Sequence, residues 1–300
     1  MNIVPDSDRG RSSVKLKLAT IVVQCLSSAD CAECRAQAID GSSPFEQAPR
    51  SGGQPETRPR SLPSLAVMVL RLYGDLLSQP TRAIAIFLEV NLIDYELHFL
   101  SLTKREHKSP EFLAINPRGQ IPALVDDGFN LAESATILRY LASTRSVSDH
   151  WYPADARKRA RVDALLDWYH TNLRNTAKYV FSRALQVLVF KLPEPTYEEV
   201  KKHEKDMTDA LNYLETTLLT REGPFLLGES EPSIADVLIG CEVTQLKLLP
   251  KRDCEAILDS RPRIRNWLQE LEIALGPHFA RFHVRVDSTA KFLESKRSKL

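Results

Sequence analysis

From Val69 onward the chain alternates short apolar runs with helical periods. Val69-Leu70-Arg71-Leu72-Tyr73 is a β-prone run that Gly74-Asp75 breaks, and Gln79 to Asn91 sets Ala83, Ile86, Phe87 and Val90 at helical spacing. Tyr95 to Leu100 predicts a second strand, and Pro110 to Ile115 a short helix. Ile121 to Val125 and Phe129 to Leu131 flank Asp126-Asp127-Gly128, which is a hairpin signal. Glu133 to Thr144 closes this half as a helix with Ala135, Ile137, Leu138 and Leu141 on one face. The order βαβαββα predicts a small sheet covered by helices over residues 68–145.

Beyond the loop Ser146–Pro153 the strand signal disappears, and residues 151–295 are expected to form an all-helical domain. Arg157 to Phe181 reads as one long amphipathic helix with Val162, Leu165, Leu166 and Tyr169 on its apolar side. Tyr197 to Leu219 is a second, opened by Thr196 with Glu198 and Glu199 in the first turn. Ser233-Ile234-Ala235-Asp236 is a capping box with Asp in the Glu/Gln slot, starting a third helix that runs to about Leu246. Pro262 to Leu275 makes a fourth. No internal repeat recurs at a fixed period.

Residues 1–67 differ in kind. They hold one aromatic, Phe45, clusters such as Ser51-Gly52-Gly53-Gln54-Pro55, and no sustained period, so this extension is expected to be disordered. Its acidic residues nearly balance its basic ones, unlike a transit peptide. Met68 directly precedes the first strand, which leaves an internal translation start open. The 300 residues hold 40 Lys plus Arg against 39 Asp plus Glu, a net charge of +1, which argues against a nucleic acid or an anionic membrane as the main partner. Five cysteines do not suggest a disulfide framework. The strongest apolar run, Leu18 to Leu26, is far below the roughly 20 residues of a membrane helix.

Three stretches carry chemistry. Ser78 lies at the junction of the first strand and helix, in Ser78-Gln79-Pro80-Thr81-Arg82-Ala83, where it either caps the helix or donates its O–H to an anion held at the helix N-terminus. Asn116-Pro117-Arg118-Gly119-Gln120-Ile121-Pro122 leads into a strand, and a cis Ile121–Pro122 bond would free the Ile121 backbone to pair with an extended peptide ligand. Glu133-Ser134 opens a helix and offers a carboxylate to an ammonium group beside N–H groups suited to a carboxylate. That combination suits an amino-acid head group.

Together with Glu133-Ser-x-x-Ile-Leu-x-Tyr-Leu141, Trp151-Tyr152-Pro153, Asp167 to Arg174 and Ser233 to Asp236, these blocks resemble the theta class of glutathione transferases from about residue 68 to about 290. The resemblance implies a thioredoxin-like α/β domain followed by an all-helical domain that shapes an electrophile pocket. It implies that Ser78 donates a hydrogen bond to the glutathione sulfur, which stabilises the thiolate. It places Gln79 beside the tripeptide, His107 and Lys108 at its glycine carboxylate, Gln120 and Ile121 at the cysteinyl backbone, and Glu133 and Ser134 at the γ-glutamyl ammonium and carboxylate. Glutathione would be a cosubstrate, with no metal or prosthetic group, and a homodimer is expected.

The chain departs from the family at Thr81, where a small Ser or Cys is usual, and at Arg118, where Leu is expected. Cys31-Ala32-Glu33-Cys34 could suggest redox or zinc chemistry, but with Cys25 the extension offers three ligands, no His, and no place after the first strand. Ser298-Lys299-Leu300, behind Lys296 and Arg297 in a tail (296–300) expected to be exposed, is a peroxisomal address read by an import receptor, with the cytoplasm as second choice. The expected activity is conjugation of glutathione to small hydrophobic electrophiles, with reduction of organic hydroperoxides favoured by that address. The alternatives are a transferase-like binding or scaffold protein and a dithiol oxidoreductase using Cys31 and Cys34. The electrophile pocket is expected to be lined by the loop after the first strand, the Arg157–Phe181 helix and the segment Phe279 to Val286.

Overall fold

The structure, a computed structural model, describes residues 69–298; the extension with Cys25, Cys31 and Cys34, Met68, and the final Lys299 and Leu300 lie outside the described residues. Four strands form one sheet in the order β2-β1-β3-β4: β1 Arg71–Gly74, β2 Glu96–Phe99, β3 Ala123–Asp126 and β4 Phe129–Ala132. β1 pairs parallel with β2 (Leu72 opposite Leu97) and antiparallel with β3 (Leu72 opposite Leu124), and β3–β4 is the expected hairpin. The parallel pair needs a crossover, supplied by α1, Gln79–Val90. Alternation along β1 sends Leu70 and Leu72 into the core and Tyr73 to the other face, where its ring lies 6.2 Å from Phe112 of the short helix α2, Pro110–Ile115. α3, Ser134–Thr144, packs beside α1, completing the thioredoxin-like βαβαββα half.

The second half is helical throughout, and α1 of the sheet domain packs on α7, Ile234–Val243, so that one continuous apolar core serves both halves. Thr196 caps α6, Tyr197–Thr216, in a full capping box with Glu199. The box expected at Ser233 also forms: Ser233 Oγ accepts from Ala235 N–H at 3.2 Å while Asp236 accepts from Ser233 N–H at 2.8 Å.

Several expectations need correction. The stretch 157–181 is not one helix. α4, Ala156–Trp168, gives way to a wide turn in which Arg174 N–H reaches the Tyr169 carbonyl, α5 covers Asn175–Val180, and a second wide turn puts Gln186 N–H on Phe181. The sequence reason is local: Thr171 Oγ1 donates to the Asp167 carbonyl and Asn172 Nδ2 to that of Trp168, so side chains compete for the helix's own acceptors. The third helix ends at Val243 and tightens into a 3₁₀ turn, Thr244–Leu248. Two helices were not anticipated, α8 at Lys251–Asp259 and α10 at Pro277–Arg297, which follow α7 on either side of α9, Pro262–Leu275. α10 extends into the expected tail and takes in Lys296 and Arg297: Arg297 donates to the Leu248 carbonyl at 2.9 Å, and Ser298 alone of the last three residues is described, exposed at the helix end.

Asp236 is a heavily bonded acceptor in the helical half. Its buried carboxylate receives Leu226 N–H at 2.9 Å, Ser233 N–H and Oγ–H at 2.8 Å each, and Trp267 Nε1–H at 3.0 Å. Replacing Asp236 by Ala strands four donors, so we expect a loss of about 3 kcal/mol or more in urea unfolding, whereas removing the exposed Lys205–Asp209 pair should leave the midpoint nearly unmoved.

Candidate active site

One cavity of about 1110 Å³ opens between the sheet domain and the helices, and it takes in all eight residues singled out from the sequence: Ser78, Gln79, His107, Lys108, Gln120, Ile121, Glu133 and Ser134. Ser78 sits at the N-cap of α1 with extended backbone angles, yet its side chain makes no capping hydrogen bond. That separates the two readings of the residue, because a serine serving as a cap would spend its oxygen on the N–H groups of the first turn. The loop before it is fixed instead by Asp75, whose buried carboxylate accepts from Leu77 N–H at 2.9 Å and from Leu102 N–H at 3.3 Å. Asp75 therefore ties the serine loop to the loop that carries His107 and Lys108.

The Ile121–Pro122 bond is cis, and pairing of β3 begins only at Ala123, which leaves the Ile121 backbone outside the ladder and on the cavity wall. Glu133, at φ +67°, immediately precedes α3 and puts Ser134 at its first position, so the N-terminal N–H groups of an eleven-residue helix border the cavity. Lys108 Nζ donates to the carbonyls of Gly119 at 2.7 Å and Arg118 at 3.2 Å. Burial pushes the His107 imidazole below its ordinary value, and the charges of Lys108 and Arg105 push it further the same way. His107 is therefore neutral at neutral pH, and of the pair expected at the glycine end Lys108 is the cation.

Gln79 departs from its expected role in one respect. It borders the cavity, but its side-chain amide turns away and donates to Glu242 Oε1 at 3.3 Å. Glu242 is a fully buried carboxylate on α7 that also receives Tyr169 Oη–H at 3.0 Å and Arg174 Nη1–H at 2.9 Å. Burial is the largest single influence on the Arg174 pKa and lowers it, but the charge of Glu242, the neighbouring Tyr169 and the hydrogen bond to Glu242 together raise it above its ordinary value, so the guanidinium stays charged where it borders the cavity. Sequence reasoning missed Glu242. A Glu in the last turn of a helix, Ile234 to Val243, that is apolar apart from its capping Asp236 was the available signal, since such a residue needs a partner.

The helical wall is built by the two wide turns. They bring His170, Arg174, Phe181, Ser182 and Leu185 to the cavity, joined by Phe190 and Leu192. The segment Phe279 to Val286 is not part of the lining, contrary to expectation; Phe279, Phe282 and Val286 are buried in the core, on the face that α10 packs against α1 and the 3₁₀ turn after α7. Among the described residues no group of His, Cys, Asp and Glu has the arrangement of a metal site.

Comparison with known proteins identifies the family. The family model for the glutathione S-transferase N-terminal domain matches residues 68–143. Glutathione S-transferase T1 of Arabidopsis thaliana is 42% identical over 219 residues, covering 72% of this chain and 89% of the relative. The chain belongs to the theta class of glutathione S-transferases. Glutathione S-transferase theta-1 of Rattus norvegicus is 39% identical over 70% of this chain and 85% of its own length. A human theta-2 crystal structure in complex with glutathione superposes with a TM-score of 0.68 at 34% identity, over 76% of this chain and 91% of that one.

In this theta-class chain the Glu242–Arg174 pair has a direct test. Glu242→Ala removes the acceptor of the buried Tyr169 hydroxyl and Gln79 amide as well as the counter-ion of the partly exposed Arg174, and should cost about 2–3 kcal/mol in denaturant unfolding, with Glu242→Gln intermediate because an amide still accepts one hydrogen bond.

Proposed function

We propose that this chain binds glutathione in the cavity at Ser78 and transfers it to small hydrophobic electrophiles, and that it also reduces organic hydroperoxides. The observation that carries the reading is the Ser78 hydroxyl, free of capping duty and bordering the same cavity as the Ile121 backbone and the Glu133–Ser134 helix start. Ser78 is a hydrogen-bond donor here and not a base. Its O–H stabilises the sulfur anion, which lowers the thiol pKa and raises the fraction of thiolate near neutral pH. Gln120 and Ile121 hold the cysteinyl backbone, Lys108 with His107 the glycine carboxylate, Glu133 the γ-glutamyl ammonium and Ser134 its carboxylate.

In conjugation the thiolate sulfur forms a bond to the electrophilic carbon as the leaving group departs with its electron pair. In peroxide reduction the sulfur attacks the terminal hydroperoxide oxygen, the O–O bond breaks, and the alkoxide takes a proton to give the alcohol. A second glutathione then displaces hydroxide from the sulfenic sulfur, giving glutathione disulfide and, after protonation, water. No metal or prosthetic group takes part in either route. Family membership supports a homodimer, and the C-terminal Ser298-Lys299-Leu300 supports peroxisomal import through a receptor that reads that tripeptide.

Losing one hydrogen bond to a charged sulfur is worth about 1.5–3 kcal/mol, so Ser78→Ala should lower kcat/KM about 10- to 100-fold with cumene hydroperoxide or an aralkyl halide, and should raise the pKa of bound glutathione read by thiolate absorbance. Absence of turnover by the wild-type chain with both substrate types would favour a binding or scaffold role, and loss on Cys31→Ala with Ser78→Ala still active would overturn the mechanism. The address is tested separately: an N-terminally tagged fluorescent fusion should collect in peroxisomes and disperse when Ser298 to Leu300 are deleted.

A further inference from the structure

Arg118 stands where the theta-class resemblance leads to an expected leucine, and its guanidinium is engaged. Nη1 donates to Glu133 Oε1 at 2.6 Å. The backbone holds the donor in place: Arg118 N–H donates to Asn116 Oδ1 at 3.2 Å, its carbonyl accepts from Lys108 Nζ, and Gly119 N–H closes the turn onto the Asn116 carbonyl at 2.8 Å. A Cβ on Gly119 would lie 2.9 Å from the His107 carbonyl oxygen, so this turn is packed against its neighbour and has little room to shift. The acceptor is equally placed, because Glu133 is fixed at the head of α3 and its carboxylate is not used to cap that helix. Among the described residues Arg118 is the one side chain that hydrogen-bonds Glu133.

Glu133 borders the cavity and Arg118 does not. A ligand therefore meets a carboxylate already engaged from behind through one oxygen. An ionised carboxylate has about four lone-pair sites, so Oε2 remains open to an ammonium group. That ammonium then sits one carboxylate width from a guanidinium, and two cations so close repel.

We propose that Arg118 is a specificity-determining residue of the thiol site, sharing Glu133 with the γ-glutamyl ammonium and so weakening glutathione relative to thiols that lack that group. Arg118 also holds Glu133 in one rotamer, which works in the ligand's favour. An exposed ion pair restrains its partner only weakly, whereas the like-charge contact recurs in every complex, so the repulsion wins. The proposal rests on the transferase reading but concerns only the γ-glutamyl end of the site.

The test uses the full chain and two thiols, glutathione and glutaryl-cysteinyl-glycine, which is the same molecule without the amino group. KM is measured for each, and Kd by calorimetry for their S-methyl derivatives, so that binding is read whether or not turnover follows. Arg118→Leu should lower KM and Kd for the glutathione pair about three- to tenfold and change those of the deamino pair less than twofold. In a Glu133→Gln background the gain from Arg118→Leu should vanish. An unchanged or weaker glutathione affinity in Arg118→Leu, or an equal gain for both thiols, overturns the proposal while the transferase reading stands. Failure of the wild-type chain to bind S-methylglutathione at all overturns both. Thermal unfolding of each variant confirms that the chain remains folded.

Discussion

Arg82 is a full positive charge with no access to water, and the placement of the serine loop depends on it. Its guanidinium donates to the Leu76 and Leu77 carbonyls at 2.9 and 3.2 Å from one nitrogen, and to the Cys241 carbonyl and Gln245 Oε1 at 3.1 and 2.7 Å from the other. Gln245 in turn donates to the Leu77 carbonyl at 3.1 Å. The two residues before Ser78 are thus bonded from inside the protein by a side chain of α1 and by one that follows α7. A planar fork with five N–H donors can do this where a lysine could not. Burial lowers the Arg82 pKa, and the nearby Cys241 and Glu242 oppose that shift. The same charge that fixes the loop therefore also ties the two halves of the molecule together, since its acceptors come from both.

This explains why the sheet half was legible in the sequence and the helical half only in part. Strands and helices of the first half are short and bounded by strong punctuation: Gly74, Pro110, Asp126-Asp127-Gly128 and the pre-helical Glu133 each stop or start an element where expected to within a residue or two. In the helical half the errors fall where side chains, and not periodicity, decide the backbone. Thr171 and Asn172 bond back to carbonyls one turn earlier and open the long helix, an effect that a hydrophobic period does not register. α10 failed to stand out for the opposite reason. Its buried positions Phe279, Phe282, Val286 and Leu293 keep helical spacing, but they are diluted by charged residues on the outer face and preceded by Gly276-Pro277, which signals a break as readily as a start.

The site was legible because its residues lie in contiguous blocks at element ends, where residue type carries chemical meaning. All eight border one cavity. What the sequence did not show is what stands behind them. Asp75 joining two loops, Glu242 holding Arg174, and Lys108 bonded to the carbonyls of Arg118 and Gly119 are contacts between residues 10 to 68 positions apart, and no local pattern reports them. Gln79 shows the limit most clearly: position in a motif puts it at the cavity, but the buried charge of Glu242 decides where its amide points.

Charge then acquires a local meaning that the net value of +1 conceals. The cavity is bordered by Arg105, Lys108, Arg174 and Lys178, while among the described residues Glu133 is its one acidic neighbour. Glutathione as the thiolate carries two carboxylates, one sulfur anion and one ammonium. A wall with several cations and a single carboxylate matches that pattern in kind, and desolvation in a concave site strengthens each contact relative to water. The match also locates where selectivity can be adjusted without disturbing the rest. Cations are several and their effects overlap, so removing one leaves others nearby; the lone carboxylate has no substitute. On the proposed reading, whatever competes for Glu133 acts on ammonium recognition, while the Ser78 loop is fixed separately by Arg82 and Asp75.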